Sequence, residues 1–210
     1  EAGKPLIVTG PNASGKSSLF RMIGGLWKVQ NGSIDRPCDE NTNRLTPEHV
    51  FLVPQKPYSV RGSLADQITY PKKVSPEDRT PEMEAQLFAM LKLVQVEYLV
   101  DRYATTDAAT GRVLASGWNA VMKWEDVLSL GEQQRIGCAR LFYINPSFAI
   151  LDECTSAVSV DVEEELYRHA HAQGITSITI SQRLALEEFH SQELKLGDAE
   201  GENGWALRTI

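Results

Sequence analysis

Cysteine is scarce in this chain of 210 residues, and what there is does not cluster. Cys38, Cys138 and Cys154 are odd in number and far apart, which argues against a CxxC metal knuckle or a disulfide framework and fits a reducing compartment. No apolar run reaches the roughly 20 residues that cross a bilayer, and the opening Glu1-Ala-Gly-Lys-Pro5 lacks the layout of a signal peptide. Direct membrane insertion of this piece is not expected. Basic charge is short as well: 21 Lys+Arg against 28 Asp+Glu leave a net charge of −7, so nucleic acid is not the expected partner. Internal repeats and low-complexity tracts are absent. The chain has no initiator Met and opens on what already reads as a buried strand, so a fragment of a longer protein is expected. What it does have is 42% apolar residues, enough for one compact domain with a core.

Those residues fall into β-rich runs that alternate with helix-like stretches, the pattern of a mainly parallel sheet flanked by helices. Strands are expected at Leu6 to Thr9, Val50 to Val53, Phe148 to Leu151 and Thr176 to Ile180, and helices near Lys16 to Leu26, Gln133 to Tyr143 and Asp161 to Gln173. Acidic residues from Glu163 to Glu165 suit the start of the last helix, and Gly174 its end. Between about Val60 and Val127 no strand signal is strong. Leu87, Met90, Leu91, Val94 and Leu99 recur at helical spacing, which predicts a helical subdomain inserted into the α/β core. Lys72 to Pro81 and Thr105 to Arg112 read as exposed loops.

Between the first strand and the first helix stands Gly10-Pro11-Asn12-Ala13-Ser14-Gly15-Lys16-Ser17, which fits G-x-x-x-x-G-K-[ST] in the setting that motif requires. Glycines let the backbone curl so that its N–H groups, with the positive end of the following helix, surround a polyphosphate. The residues from Gly10 to Ser18, including Asn12, Ala13 and Ser14, are the candidate nucleotide cradle. Lys16 would reach the β and γ phosphates of ATP, and the Ser17 hydroxyl would coordinate Mg²⁺. A second candidate is the run Phe148 to Glu153, apolar like a strand buried on both faces and ending in two acids. Asp152 suits the Mg²⁺ shell, and Glu153 the general base that polarises the attacking water. The phosphate loop alone leaves kinases, GTPases and motors open.

Leu128-Ser129-Leu130-Gly131-Glu132-Gln133-Gln134-Arg135 resembles the LSGGQ signature of ATP-binding cassette (ABC) proteins. Gln55, in Val53-Pro54-Gln55-Lys56-Pro57, is similar to that family's Q-loop, and Ser156 to Asp161 to its D-loop; the resemblance covers essentially the whole chain. It implies a P-loop ABC cassette, with residues 1–59 and 144–210 as the ATP-binding core and 60–143 as the helical, signature-bearing subdomain. It also implies catalytic roles for Glu153, Gln55 and Gln182, Mg²⁺ contacts for Ser17, Gln55 and Asp152, and nucleotide contacts for Ser129, Gly131 and Glu132. Since two cassettes pair head to tail in the family, the signature would serve the ATP of a partner cassette. Gly24-Gly25-Leu26-Trp27, Tyr70-Pro71, the run from Trp118 to Leu128 and Asp152-Glu153-Cys154-Thr155-Ser156-Ala157 further resemble subfamily D, most of all the second cassette of its full-length plant and algal members. That implies a transporter in the peroxisomal membrane that imports fatty acids or acyl-CoA, its cassette on the cytosolic face. The transmembrane domains and an adenine-stacking aromatic would then lie upstream of Glu1, and Tyr58 to Gln67 would receive the coupling helices.

Two departures from the family pattern stand out. Gln182 in Ile180-Ser181-Gln182-Arg183 replaces the usual His near the γ-phosphate, and an amide cannot transfer a proton. Leu130 replaces a signature Gly, where a side chain would crowd the phosphate and disfavour positive φ. A cassette that mainly holds ATP, and a soluble ABC ATPase without membrane domains, are the alternatives. His49, His169, His171 and His190 have no metal-ligand companions at suitable spacing, while Trp118, Trp124 and Cys154 read as packing residues.

Overall fold

The structure, a computed structural model, describes residues 1–39, 41–42, 44–197 and 204–210. Strand β1 (Leu6–Thr9) leads through residues 10–15 into helix α1 (Lys16–Ile23), which stops short of the expected Leu26 at the Gly24-Gly25 turn. Strand β2 (Val50–Val53) follows, then helix α2 (Leu64–Thr69), whose capping box joins the Ser63 hydroxyl and the Asp66 carboxylate to each other's backbone N–H. The stretch with helical spacing holds two helices, α3 (Pro81–Leu93) and α4 (Tyr98–Arg102), separated where Gln95 adopts φ 57° and breaks the run. Pro81, expected in a loop, begins α3, with the Thr80 hydroxyl accepting the Met83 N–H. The stretch 105–112 is more than a loop: β3 (Thr105–Thr106) pairs antiparallel with β4 (Val113–Ala115), all five residues exposed. Then come α5 (Trp124–Val127), α6 (Leu130–Ile144), β5 (Phe148–Asp152), α7 (Val160–Ala172) and β6 (Thr176–Ile180). Two strands absent from the sequence expectation close the order, β7 (Gln192–Leu196) and β8 (Trp205–Thr209).

Residues 1–55, 145–154 and 167–210 form one compact unit, and residues 56–144 and 155–166 a second. The first holds a six-stranded sheet in the order β2-β5-β6-β1-β7-β8, parallel throughout except for β8 against β7. Val8, Ile150, Ile180 and Phe20 of α1 are buried together on one face, with Leu6, Ile23, Leu52, Leu194 and Leu196 packed against them. Each such side chain taken fully out of water contributes about 1.5–3 kcal/mol. The same strand order sets β1 and β5 on either side of β6, so their carboxyl ends open at one edge, where α/β sheets hold ligands.

The second unit is helical apart from the β3–β4 hairpin. Leu64, Ile68, Leu87, Leu91, Leu99, Ile136 and Leu141 are buried within it. Trp118 and Trp124 are buried too; the Trp124 indole donates to the Gly62 carbonyl at 2.9 Å and meets Tyr103 edge-on, which gives both tryptophans the packing role expected of them. Arg140 of α6, fully buried, donates to the Gln67 carbonyl at 2.8 Å while its guanidinium lies over the Tyr58 ring. Among the described residues no helix is long and apolar enough to cross a membrane.

Candidate functional site

The loop from Gly10 to Gly15 is built by close backbone approach. Gly10 adopts φ 135°, and a Cβ there would lie 2.3 Å from the Leu196 carbonyl oxygen, so no other residue fits. Ala13 is also left-handed, at φ 65°. Lys16, buried at the first position of α1, folds back over the loop and donates to the Gly10 and Pro11 carbonyls at 2.7 and 2.8 Å. Since Gly15 precedes α1, no side chain caps the helix, and its first turn holds no acid. The orphan N–H groups and the positive dipole end are thus left for an anion. The Ser14 hydroxyl is buried with no hydrogen-bond partner among the described residues, a donor that a phosphate oxygen would satisfy.

Asn12, Ala13, Gly15, Lys16, Ser17 and Ser18 share a cavity of about 420 Å³ with Gln55, Asp152, Glu153 and Ile180. The acids arrive at the end of β5, where the Glu153 N–H continues the pairing by donating to the Ile180 carbonyl at 3.1 Å. Glu153 takes φ 45°, an uncommon conformation for a non-glycine residue that costs about 1–3 kcal/mol and turns the chain just as the strand ends. Its carboxylate accepts a hydrogen bond from the Gln55 amide at 2.8 Å. Burial pushes the Asp152 carboxyl up, the neighbouring Glu153 charge adds to this, and Arg21 and Lys16 pull it back. Hydroxyl, carboxylate and amide oxygens from Ser17, Asp152 and Gln55, beside the adjacent Glu153, are the donor set a small hard cation such as Mg²⁺ takes. Gln182, just beyond β6, reaches the loop from the other side, its amide 3.5 Å from Asn12 Oδ1.

Ser129, Gly131 and Glu132 belong to the second unit and lie where α6 begins. Leu130 is helical and about half exposed, so the positive φ that a leucine would resist is not required of it. A Cβ on Gly131 would come within 2.9 Å of the Ala157 carbonyl oxygen, which fixes that position as glycine. The Ser129 N–H donates to Glu132 Oε2 at 2.7 Å, and the Glu132 N–H to the Ser129 hydroxyl at 3.3 Å, a reciprocal cap. Tyr98 and Arg102 each donate to Glu132 Oε1 at 2.8 Å. Burial of Glu132 works against its charge, but the Ser129 N–H, the Tyr98 and Ser129 hydroxyls and Arg102 outweigh it and hold the carboxyl below its usual range.

The sequence reading gave Gln134 no role of its own, yet it joins the signature helix to the segment after the acidic strand. Its Oε1 accepts the Ala157 N–H at 2.8 Å and its Nε2 donates to the Ser156 hydroxyl at 3.0 Å. An amide on the buried side of a helix was the available clue. His190 proves structural: it is buried, with Nδ1 2.6 Å from the Leu186 carbonyl and Nε2 2.8 Å from the Thr179 hydroxyl, and burial pushes its pKa down. No group of three His, Cys, Asp or Glu side chains among the described residues is placed to hold a metal.

Residues 1–156 match a family model described as ABC transporter. ABC transporter D family member 1 of Arabidopsis thaliana is 44% identical over the whole chain, which spans 16% of that relative. ATP-binding cassette sub-family D member 3 of Homo sapiens is 41% identical over 93% of the chain, which spans 27% of it. The lysosomal cobalamin transporter ABCD4 of Homo sapiens is 40% identical over 99% of the chain, which spans 31% of it. Among solved structures, a bacterial Atm1-family ABC exporter with ATP bound shares the fold at a TM-score of 0.65 and 22% identity, covering 93% of this chain and 32% of its own.

Proposed function

From the premise that the chain belongs to the ABC transporter family, whose cassettes are ATPases, we propose that it powers a subfamily D transporter importing fatty acids or acyl-CoA into peroxisomes. The observation that carries the ATPase assignment is the cavity shared by the phosphate loop, Gln55 and the paired acids of β5. The N–H groups of the loop and Lys16 hold the β and γ phosphates, while Asn12, Ser14 and Ser18 shape the cradle around them. Ser17, Asp152 and Gln55 would hold Mg²⁺, which when bound offsets charge developing on the phosphate oxygens. Glu153 takes the proton of the attacking water, Gln55 orients that carboxylate, and Gln182 donates its amide toward the γ-phosphate.

The first unit is the ATP-binding core and the second the signature-bearing subdomain. Ser129 and the backbone at Gly131 serve an ATP held by a second cassette docked head to tail, and Tyr58 to Gln67 meets the transmembrane domains. The peroxisomal reading is supported by the subfamily D relatives and by the motifs from Gly24 to Trp27 and from Trp118 to Leu128; the lysosomal relative marks the alternative compartment. A cassette that mainly holds ATP is the second reading, favoured by one observation: Gln182 offers an amide and no transferable proton.

Glu153→Gln in the full transporter is expected to retain ATP binding and cut hydrolysis about 100-fold. Undiminished hydrolysis would remove Glu153 from the base role. Purified transporter should hydrolyse ATP faster when an acyl-CoA is added; no response, with basal hydrolysis intact, would reject the cargo and leave the ATPase standing.

A further inference from the structure

The face of the sheet opposite the apolar cluster carries a buried acid that the chemistry above does not use. Glu193, the second residue of β7, is only 4% exposed, and a carboxylate so placed is costly unless both oxygens are engaged. Both are. The Thr9 hydroxyl donates to Oε1 at 2.5 Å, and the Arg208 guanidinium, directly opposite on β8, donates to Oε2. Thr9 is the last residue of β1, immediately before Gly10. In the register of the parallel pair Glu193 stands beside Ile7 and Lys195 beside Thr9, so the carboxylate reaches diagonally toward the loop. Farther along β7, the Leu196 carbonyl oxygen fills the space a Cβ on Gly10 would take, and a Cβ on Gly197 would meet the Pro11 ring at 3.2 Å.

We propose that Glu193, held by Arg208, is a positioning residue for the phosphate loop: through the Thr9 hydroxyl it fixes the end of β1 against β7 and so sets how tightly this cassette holds nucleotide. The contacts form one path. Arg208 orients the carboxylate, the carboxylate orients Thr9, and β7 carries the register to Gly10 and Pro11 through its last two contacts. Because the Leu196 carbonyl lies where a side chain on Gly10 would stand, a slip of β7 along β1 would move the start of the cradle with it. The inference rests on the ATP-binding reading of that loop, and its test separates the two.

The test uses the full transporter, with photolabelling of this cassette by 8-azido-ATP to read half-saturation and hydrolysis measured alongside. Thr9→Val, which keeps shape and removes the donor, and Glu193→Gln are each expected to raise half-saturation by about 3- to 10-fold, with kcat little changed. The double variant should do no worse than the poorer single one, since both act through one hydrogen bond. Arg208→Lys should restore most of what Arg208→Ala loses. Half-saturation that stays at the wild-type value in Thr9→Val overturns the proposal even if Glu193→Gln fails to fold, and so do strictly additive effects. Loss of labelling in Lys16→Ala with no effect in Thr9→Val would reject this inference alone; labelling untouched by Lys16→Ala would reject the ATP-binding reading.

Discussion

Two helix starts in this chain are made from similar parts and left in opposite states. α1 begins after a glycine, with no side-chain cap and no acid in its first turn, and with the Lys16 ammonium laid across the loop before it. α6 begins with Ser129 and Glu132 closed on each other's N–H groups, and Glu132 is tied to Tyr98 and Arg102 as well. The first is a cradle that waits for several negative charges. The second has its Ser129 and Glu132 N–H groups already engaged within the cap, so it offers a phosphate the Leu130 and Gly131 N–H groups and a hydroxyl that can rotate. On the function proposed above, the first start holds the polyphosphate and the second completes a site whose charge is neutralised elsewhere, as a docked second cassette would do.

The most damaging way to break this contrast is Gly10→Ala. Its Cβ would lie 2.3 Å from the Leu196 carbonyl oxygen, a contact that backbone must move to relieve, at a residue already in the left-handed region. More than about 3 kcal/mol is at stake, and nucleotide affinity should fall at least about 100-fold. Photolabelling within tenfold of wild type would show that the loop is not built on that approach.

A smaller effect is expected at the closed start. Glu132→Ala removes the cap on the Ser129 N–H and the hydrogen bonds from Tyr98 and Arg102, which stay open to water, for a loss of about 1–2 kcal/mol in thermal unfolding. The carboxyl is held below its ordinary range, so its stabilising contribution is complete above that range and disappears as pH falls through the lower folded value. Glu132→Gln should therefore flatten the acid limb of stability below about pH 4.5 and leave neutral pH comparatively little changed. An acid limb of unchanged slope would mean that Glu132 is not held as its four contacts imply.

How much of this was legible follows from where each residue's partners lie in the chain. The phosphate loop and β5 announce themselves, because local geometry demands glycine at Gly10 and burial on both faces demands apolar Phe148 to Leu151. β7 was hidden by its charges: in Gln192-Glu193-Leu194-Lys195-Leu196 the alternation is strand-like, but Glu193, buried in the fold, and Lys195 read as surface. Gln95 ended a helix on a conformation that no residue-level signal marks. The reciprocal cap at Ser129 and Glu132 fits the capping-box spacing and was overshadowed by the stronger signature reading, while the ties from Tyr98, Arg102 and Ala157 depend on residues distant in sequence.

The smallest expected effect sharpens the comparison on the side of the open cradle. Gln182 already sends its amide to Asn12, so it stands at the edge of the loop as a hydrogen-bond donor with no charge to gain or lose. If that place calls only for a donor, Gln182→His should leave hydrolysis by the full transporter within about twofold, because one neutral donor replaces another at similar reach. The pH profile separates the two roles further. An imidazole that acted through its proton would bring a new inflection near its ordinary pKa of about 6.5, whereas one that only donates would leave the profile of the glutamine protein in place down to that range. A rise of about tenfold or more, with that inflection, would show that proton transfer and not positioning limits this cassette, and would move the open cradle toward the reading in which it mainly holds ATP.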